Sequence, residues 1–151
     1  MVFHFIKTDS DNTDFQSLVQ KLNAHFAVLN GEMDSFFAQF NKIDAIKHVI
    51  LAYENDTPIG CGAIRAYSDT QIEIKRMYVL PEKRGHGIAT QILTHLENWA
   101  SELGYAETIL ETLKTEEKVV RLYAKCGYHI IPNYGQYMGS DMSVCMQKML
   151  H

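Results

Sequence analysis

Arg84-Gly85-His86-Gly87-Ile88-Ala89 is the stretch of this chain whose residue types and spacing come closest to chemistry. It lies between a strand-like run ending at Val79 and an apolar helical stripe beginning at Ile88. The first backbone N–H groups of a helix lack intrahelical acceptors, so such an end attracts anions. Glycines let the backbone approach a phosphate with no Cβ in the way, the helix dipole adds favourable potential, and Arg84 offers a charged contact. Taken without its surroundings, the stretch is equally a tight strand-to-helix turn. Two phosphate loops can be tested against it. A P-loop needs Gly-Lys-Ser or Gly-Lys-Thr, and neither follows. A dinucleotide fingerprint half fits: Glu111 stands near the end of the next strand, but Thr90 holds the third glycine's place and several residues separate Val79 from Gly85.

The remaining reactive side chains point to no metal or redox centre. The seven histidines show no ligand spacing. Cys61, Cys126 and Cys145 are odd in number and far apart, which reads as free thiols, with Cys126 a small packed residue and not a nucleophile.

The elements that must position the glycine stretch can be read from periodicity. Val2 to Thr8 alternates like a short strand, and Thr13 with Gln16 resembles a capping box opening a helix whose stripe is Phe15, Leu18, Val19, Leu22 and Phe26. Gly31 breaks that helix, and Met33 to Ile43 is expected to form a second one. His48 to Tyr53 and Ile59 to Tyr67 read as a hairpin across Glu54 to Pro58, and Gln71 to Leu80 as the next strand, ended by Pro81. In that strand Ile72 and Ile74 are out of phase with Met77 and Val79 by one residue. A β-bulge near Lys75 and Arg76 would return all four to one face. Ile88 to Leu103 is the clearest helix, with Gly104 as its stop; Thr108 to Thr112 is a strand, Glu116 to Cys126 a helix, and Tyr128 to Ile131 and Ser143 to Met149 are closing strands. The order implies a mixed α/β sheet.

Size and composition suit one domain over residues 1–151: 46% of residues are hydrophobic and 21% charged, with no repeat or linker. The net charge of -4 and the lack of a basic run argue against nucleic acid and anionic membranes as partners. No apolar run reaches the roughly 20 residues needed to span a bilayer, and Met1 to Asp11 has no signal-peptide core, so a cytoplasmic location is expected.

The same glycine stretch, preceded by Met77-Tyr78-Val79, resembles the Arg/Gln-x-x-Gly-x-Gly/Ala signature of the GNAT acetyltransferases. Leu122-Tyr123 followed by Gly127-Tyr128 is similar to that superfamily's later Leu-Tyr and Gly-Phe pairs, and the element order agrees along the whole chain. The resemblance implies the GNAT acyl-CoA N-acyltransferase fold: a central, mostly antiparallel sheet with a bulged fourth strand and flanking helices. It also implies acetyl-coenzyme A (acetyl-CoA) as cosubstrate and no metal. The pyrophosphate would rest on Arg84, Gly85, His86, Gly87, Ile88, Ala89 and Thr90, and the pantetheine arm would run along Met77, Tyr78 and Val79. The acetyl group would pass to a primary amine of a small molecule or peptide by direct attack, a backbone N–H near Met77 stabilising the oxyanion.

By the same resemblance Tyr123 would protonate the departing thiolate and Glu73 would serve as base, directly or through water. A tyrosine packed in the core and a strand glutamate paired with Lys75 are the plainer readings of these two residues. Glu116 departs from the asparagine usual at the start of the later helix, which keeps alive a silent acyl-CoA-binding sensor or regulatory module as an alternative. Pro132-Asn133-Tyr134-Gly135-Gln136-Tyr137 and Ser143-Val144-Cys145-Met146 resemble a tail recurring in one uncharacterised bacterial subgroup. Glu32, Asp34, Asn41, Tyr134 and Tyr137 are the candidate acceptor-binding residues, for a cationic amine. Self-association as a homodimer is left open.

Overall fold

The computed structural model describes residues 2–30 and 45–150. The expected helix over Met33 to Ile43, and with it Glu32, Asp34 and Asn41, lies outside the described residues. Strand β1 (Phe3–Thr8) is followed by helix α1 (Thr13–Asn30), then by the meander β2 (His48–Glu54), β3 (Thr57–Ala66) and β4 (Gln71–Val79). A 3-10 turn at Pro81–Lys83 leads to helix α2 (Ile88–Glu102), strand β5 (Glu107–Leu113) and helix α3 (Glu117–Lys125). Strand β6 (His129–Ile131), a second 3-10 turn (Gly135–Tyr137) and β7 (Ser143–Met149) close the chain. The strands form one seven-stranded sheet in the order β1-β2-β3-β4-β5-β7-β6. Every neighbouring pair is antiparallel except β4 with β5.

Two local expectations shift. The cap of α1 is Asn12, whose side-chain oxygen accepts from the Phe15 N–H at 3.0 Å, while Gln16 reaches back to the Ser10 carbonyl. Asparagine caps a helix better than threonine, so the adjacent residue takes the role expected of Thr13. The β2–β3 turn is also tighter than expected, since Tyr53 pairs with Pro58 and Glu54 with Thr57. Asn55 alone of the turn takes positive φ, at 55°, and Pro58 is accommodated in β3 next to a register shift at Ala52/Tyr53.

The bulge of β4 is present. Cys61 pairs with Tyr78 and Ala63 with Lys75, so Arg76 and Met77 together face Gly62, and Arg76 adopts a left-handed φ of 59°. The extra residue resolves the phase conflict: Ile72 and Ile74 pair with Ala66 and Ile64, while Met77 reaches over Gly62 on that same face. Helix α2 packs there. A Cβ on Gly62 would come within 2.5 Å of Met77 Sδ and 2.8 Å of both Ile92 and Leu96, so only glycine lets helix and bulged strand meet this closely. Helix α1 covers the opposite face, where the Tyr53 hydroxyl donates to Asp14 at 2.6 Å. Phe15, Leu18, Val19 and Leu22 are buried from that side and Ile88, Ile92, Leu93 and Leu96 from the other. No helix among the described residues is long and apolar enough to cross a membrane.

Candidate active site

Strands β4 and β5 pair only through Gln71–Glu107, Ile72–Thr108 and Glu73–Ile109. Beyond Glu73 the bulge turns β4 aside, the pairing stops, and the strands diverge around a cleft of about 550 Å³. Its walls are Glu73 to Val79 on one side and Leu110 to Leu113, with Glu116, Val119, Leu122 and Tyr123, on the other; Leu22, His25 and Phe26 of α1 lie along it. A gap between two strands leaves a row of unpaired backbone groups, so an extended amide-bearing chain can complete the ladder there.

The glycine stretch closes one end. Gly87 is the N-cap of α2 with φ 77°, a conformation that favours glycine, and it brings no side-chain oxygen to cap the helix. The N–H groups of the first turn are thus left for a ligand. A Cβ placed on Gly85 or Gly87 would stand in open space, with nothing within 4 Å, so there is room at this mouth for a pyrophosphate. Arg84, Gly85, Gly87, Ile88, Ala89 and Thr90 all line the cleft, whereas His86 is exposed and outside its lining. The Arg84 side chain is turned back: its Nε donates to the Val79 carbonyl at 2.9 Å and its guanidinium lies 5.6 Å from the Tyr78 ring centre. Its charge remains at the mouth while its hydrogen bond fixes the turn out of β4.

Tyr123 lines the opposite wall from α3, is buried, and packs edge-on against Tyr128 with ring centres 5.7 Å apart. Burial raises its pKa well above the ordinary tyrosine value, with Cys126 adding to the rise, so the phenol keeps its proton at neutral pH. Tyr128 is anchored in turn by Thr108 at 2.7 Å and Glu97 at 2.9 Å. Glu116 sits at the start of α3, where it pairs with His25 of α1 at 3.2 Å.

The other end of the cleft is polar and buried. Glu73 is only 7% exposed; its Oε2 accepts from the Tyr134 hydroxyl at 2.5 Å and its Oε1 lies 3.9 Å from Lys75 Nζ. Tyr137 lines the cleft and stacks edge-on with Tyr134, which reaches the site through Glu73 and is not itself part of the lining. Burial lowers the Lys75 pKa, opposed by Glu73, and raises that of Glu111, opposed by Ser143 and Lys75. The sequence reading gave Lys75 only as a pairing partner for Glu73, and Glu111 only as the acidic residue of a half-fitting dinucleotide pattern; neither was named as a site residue. Their signal was phase: Glu111 alternates with buried Ile109 and Leu113 on one face of β5, an unusual place for a charge.

The fold agrees with the comparisons to known proteins. The Acetyltransferase (GNAT) family profile matches residues 14–128. An uncharacterized N-acetyltransferase of Schizosaccharomyces pombe is 27% identical over 136 residues, covering 85% of this chain and 83% of that one. In structure, the PaiA N-acetyltransferase of Thermoplasma acidophilum in complex with coenzyme A (CoA) is similar with a TM-score of 0.72 at 16% identity, covering 99% of each chain. A GNAT family acetyltransferase of Elizabethkingia anophelis with acetyl-CoA bound is similar with a TM-score of 0.60 at 20% identity, over 68% of this chain and 75% of that one. The chain belongs to the GNAT acetyltransferase family and is an N-acetyltransferase by that membership.

Proposed function

We propose that the protein transfers acetyl from acetyl-CoA to a primary amine of a small molecule or peptide, in a single ternary complex. The observation that carries this is the continuity of the cleft: an uncapped helix end with two left-handed glycines opens directly into the gap between β4 and β5. In this reading the backbone of Gly85 to Thr90 takes the pyrophosphate, with Arg84 contributing charge. Met77, Tyr78 and Val79 offer a strand edge left unpaired by β5 to the pantetheine amides, apart from the Val79 carbonyl that Arg84 holds. His86, exposed beside them, contributes through its backbone alone.

The reaction then needs no covalent enzyme intermediate. The amine nitrogen forms a bond to the thioester carbonyl carbon, the carbonyl oxygen becomes an oxyanion held by a backbone N–H near Met77, and collapse breaks the carbon–sulfur bond. Tyr123 supplies a hydrogen-bond donor, and finally a proton, to the leaving sulfur. The proton that the ammonium must lose before attack passes to a carboxylate at the acceptor end of the cleft, where Tyr134 fixes Glu73. Tyr137 borders the space left for the acceptor.

A silent acyl-CoA-binding module would use the same helix end. The His25–Glu116 pair at the start of α3, where the family pattern has asparagine, is the observation that favours it. Thermal unfolding with acetyl-CoA, CoA, NAD and ATP tests the binding common to both readings, because a ligand of the native state alone raises the melting temperature. A rise with the two CoA forms only, followed by thiol release with a primary amine, supports the enzyme. A rise without any turnover supports the binding module, and no rise removes both.

A further inference from the structure

The acceptor end of the cleft holds a buried carboxylate, Glu73, and a half-buried one, Glu111, on neighbouring strands, and they are differently committed. Glu73 on β4 has both oxygens engaged, one by the Tyr134 hydroxyl at 2.5 Å and the other by Lys75 at 3.9 Å. Glu111 on β5 accepts from the Ser143 hydroxyl at 2.6 Å through Oε2 and, among the described residues, forms no direct ion pair. Both line the cleft, Glu73 at the last paired position of β4 and Glu111 two residues beyond its partner Ile109, and both lie on the sheet face away from α2. Resting on the acetyltransferase reading, we propose that the acceptor docks as a primary ammonium between Glu73 and Glu111 and gives its proton to Glu111, with Glu73 holding it in place.

The step balances: one N–H bond of the ammonium breaks, an O–H bond forms on Glu111, and the lone pair left on nitrogen attacks the thioester. Glu111 suits the task because it is already short of solvent and ion-pair support, so taking a proton relieves it. Burial raises its pKa from the usual glutamate value, which moves it toward the neutral range where a base works best. The groups that face it are Lys75 and Glu73 from β4, Ser143 and Cys145 from β7, and Tyr137 from the turn before β7. Of these, Lys75 and Ser143 oppose the rise and Glu73 adds to it. A docked ammonium would lower the pKa of Glu111, and a departing acetamide, being neutral, would let it rise again.

The experiment compares wild type, Glu111→Gln and Glu73→Gln for release of CoA from acetyl-CoA with butylamine, 1,4-diaminobutane and tyramine across pH. Acetyl-CoA stabilisation is measured in parallel. Glu111→Gln is expected to lower kcat about 100-fold with KM for the amine nearly unchanged, and to abolish the acid limb of the kcat/KM profile. Glu73→Gln is expected to raise KM for the amine more than it lowers kcat. If acetyl-CoA stabilises all three and Glu111→Gln retains both its kcat and its acid limb, the assignment of Glu111 is overturned. If acetyl-CoA stabilises none, the acetyltransferase reading itself fails.

Should none of the amines react, butylammonium is titrated against the CoA complex. A stabilisation present in wild type and lost in Glu73→Gln supports the docking, and equal or absent shifts overturn it. Folding of the Glu111→Gln variant is checked by stability against pH. A carboxyl whose pKa is higher folded than unfolded binds more protons in the native state, so wild-type stability falls as pH rises from the ordinary glutamate range through the native value. The Gln variant should lack that fall.

Discussion

At one end of the cleft, Gly85 to Thr90 present backbone groups from consecutive residues; at the other, Glu73, Lys75, Glu111, Tyr134 and Ser143 bring side chains from three strands and a turn. The first end is exposed and contains almost no side-chain chemistry, because Arg84 is tied to Val79 and His86 faces solvent. The second is buried, and each polar group depends on a neighbour from elsewhere in the chain. In the proposed reading the common coenzyme is met by the part that a short motif can encode. In that reading the variable acceptor would be met by the part that must be assembled by sheet register, where single substitutions could change what is bound without disturbing the coenzyme.

Substitutions at the junction of the two ends separate binding from chemistry most sharply. Tyr123→Phe keeps the ring packed on Tyr128 and removes only the donor, so turnover should drop about 100-fold or more while the acetyl-CoA-induced rise in melting temperature is unchanged. Equal turnover would return Tyr123 to a core role and leave the sulfur to be protonated by solvent. Gly62→Ala should be next in size. Its Cβ would press on Met77, Ile92 and Leu96, and overpacking of this kind costs about 1–3 kcal/mol. Because the push falls on the bulge, unfolding should come several degrees earlier (about 2–4 °C per kcal/mol), with KM rising for coenzyme and amine together. Gly87→Ala should act at the coenzyme end alone. Its strain lies in φ, about 1–2 kcal/mol, since the added methyl meets open space in the free protein. Binding of acetyl-CoA should weaken more than stability does, and the amine's KM should hold. A loss of stability with unaltered coenzyme affinity would mean that no phosphate lies against Gly87.

These contrasts also set what was legible beforehand. The glycine stretch, the helix it opens and the bulge of β4 were visible because each is encoded within a few residues: a left-handed position needs glycine, and a one-residue slip shows in the alternation of Ile72, Ile74, Met77 and Val79. The buried pairings were not. Nothing near Glu73 announces Tyr134, which is brought to it by the approach to β7 and arrives beside Tyr67. Glu111 was read only as the fitting half of a dinucleotide motif that otherwise failed, and its place became clear once β5 was seen to leave β4 at Ile109. The cap at Asn12 and the position of Pro58 show the same limit at shorter range, where two adjacent residues compete for one role and packing decides between them.

The His25–Glu116 pair tests whether the two ends are independent along the wall between them. It joins α1 to the start of α3 at 3.2 Å, with side chains 40% and 23% exposed, so solvent screens much of the attraction. An exposed pair of this kind contributes between zero and about 1 kcal/mol. His25→Gln should therefore lower the melting temperature by a degree or two at most, and any effect should shrink in added salt. Its larger consequence should be kinetic, since both residues line the cleft that the pantetheine arm would enter in the proposed reading. Stopped-flow binding of acetyl-CoA is expected to show faster association and faster release with little change in affinity. A large loss of affinity would instead make Glu116 a direct contact to the coenzyme, taking the place of the asparagine in the family pattern, and the coenzyme end would then extend well beyond the backbone of the glycine stretch.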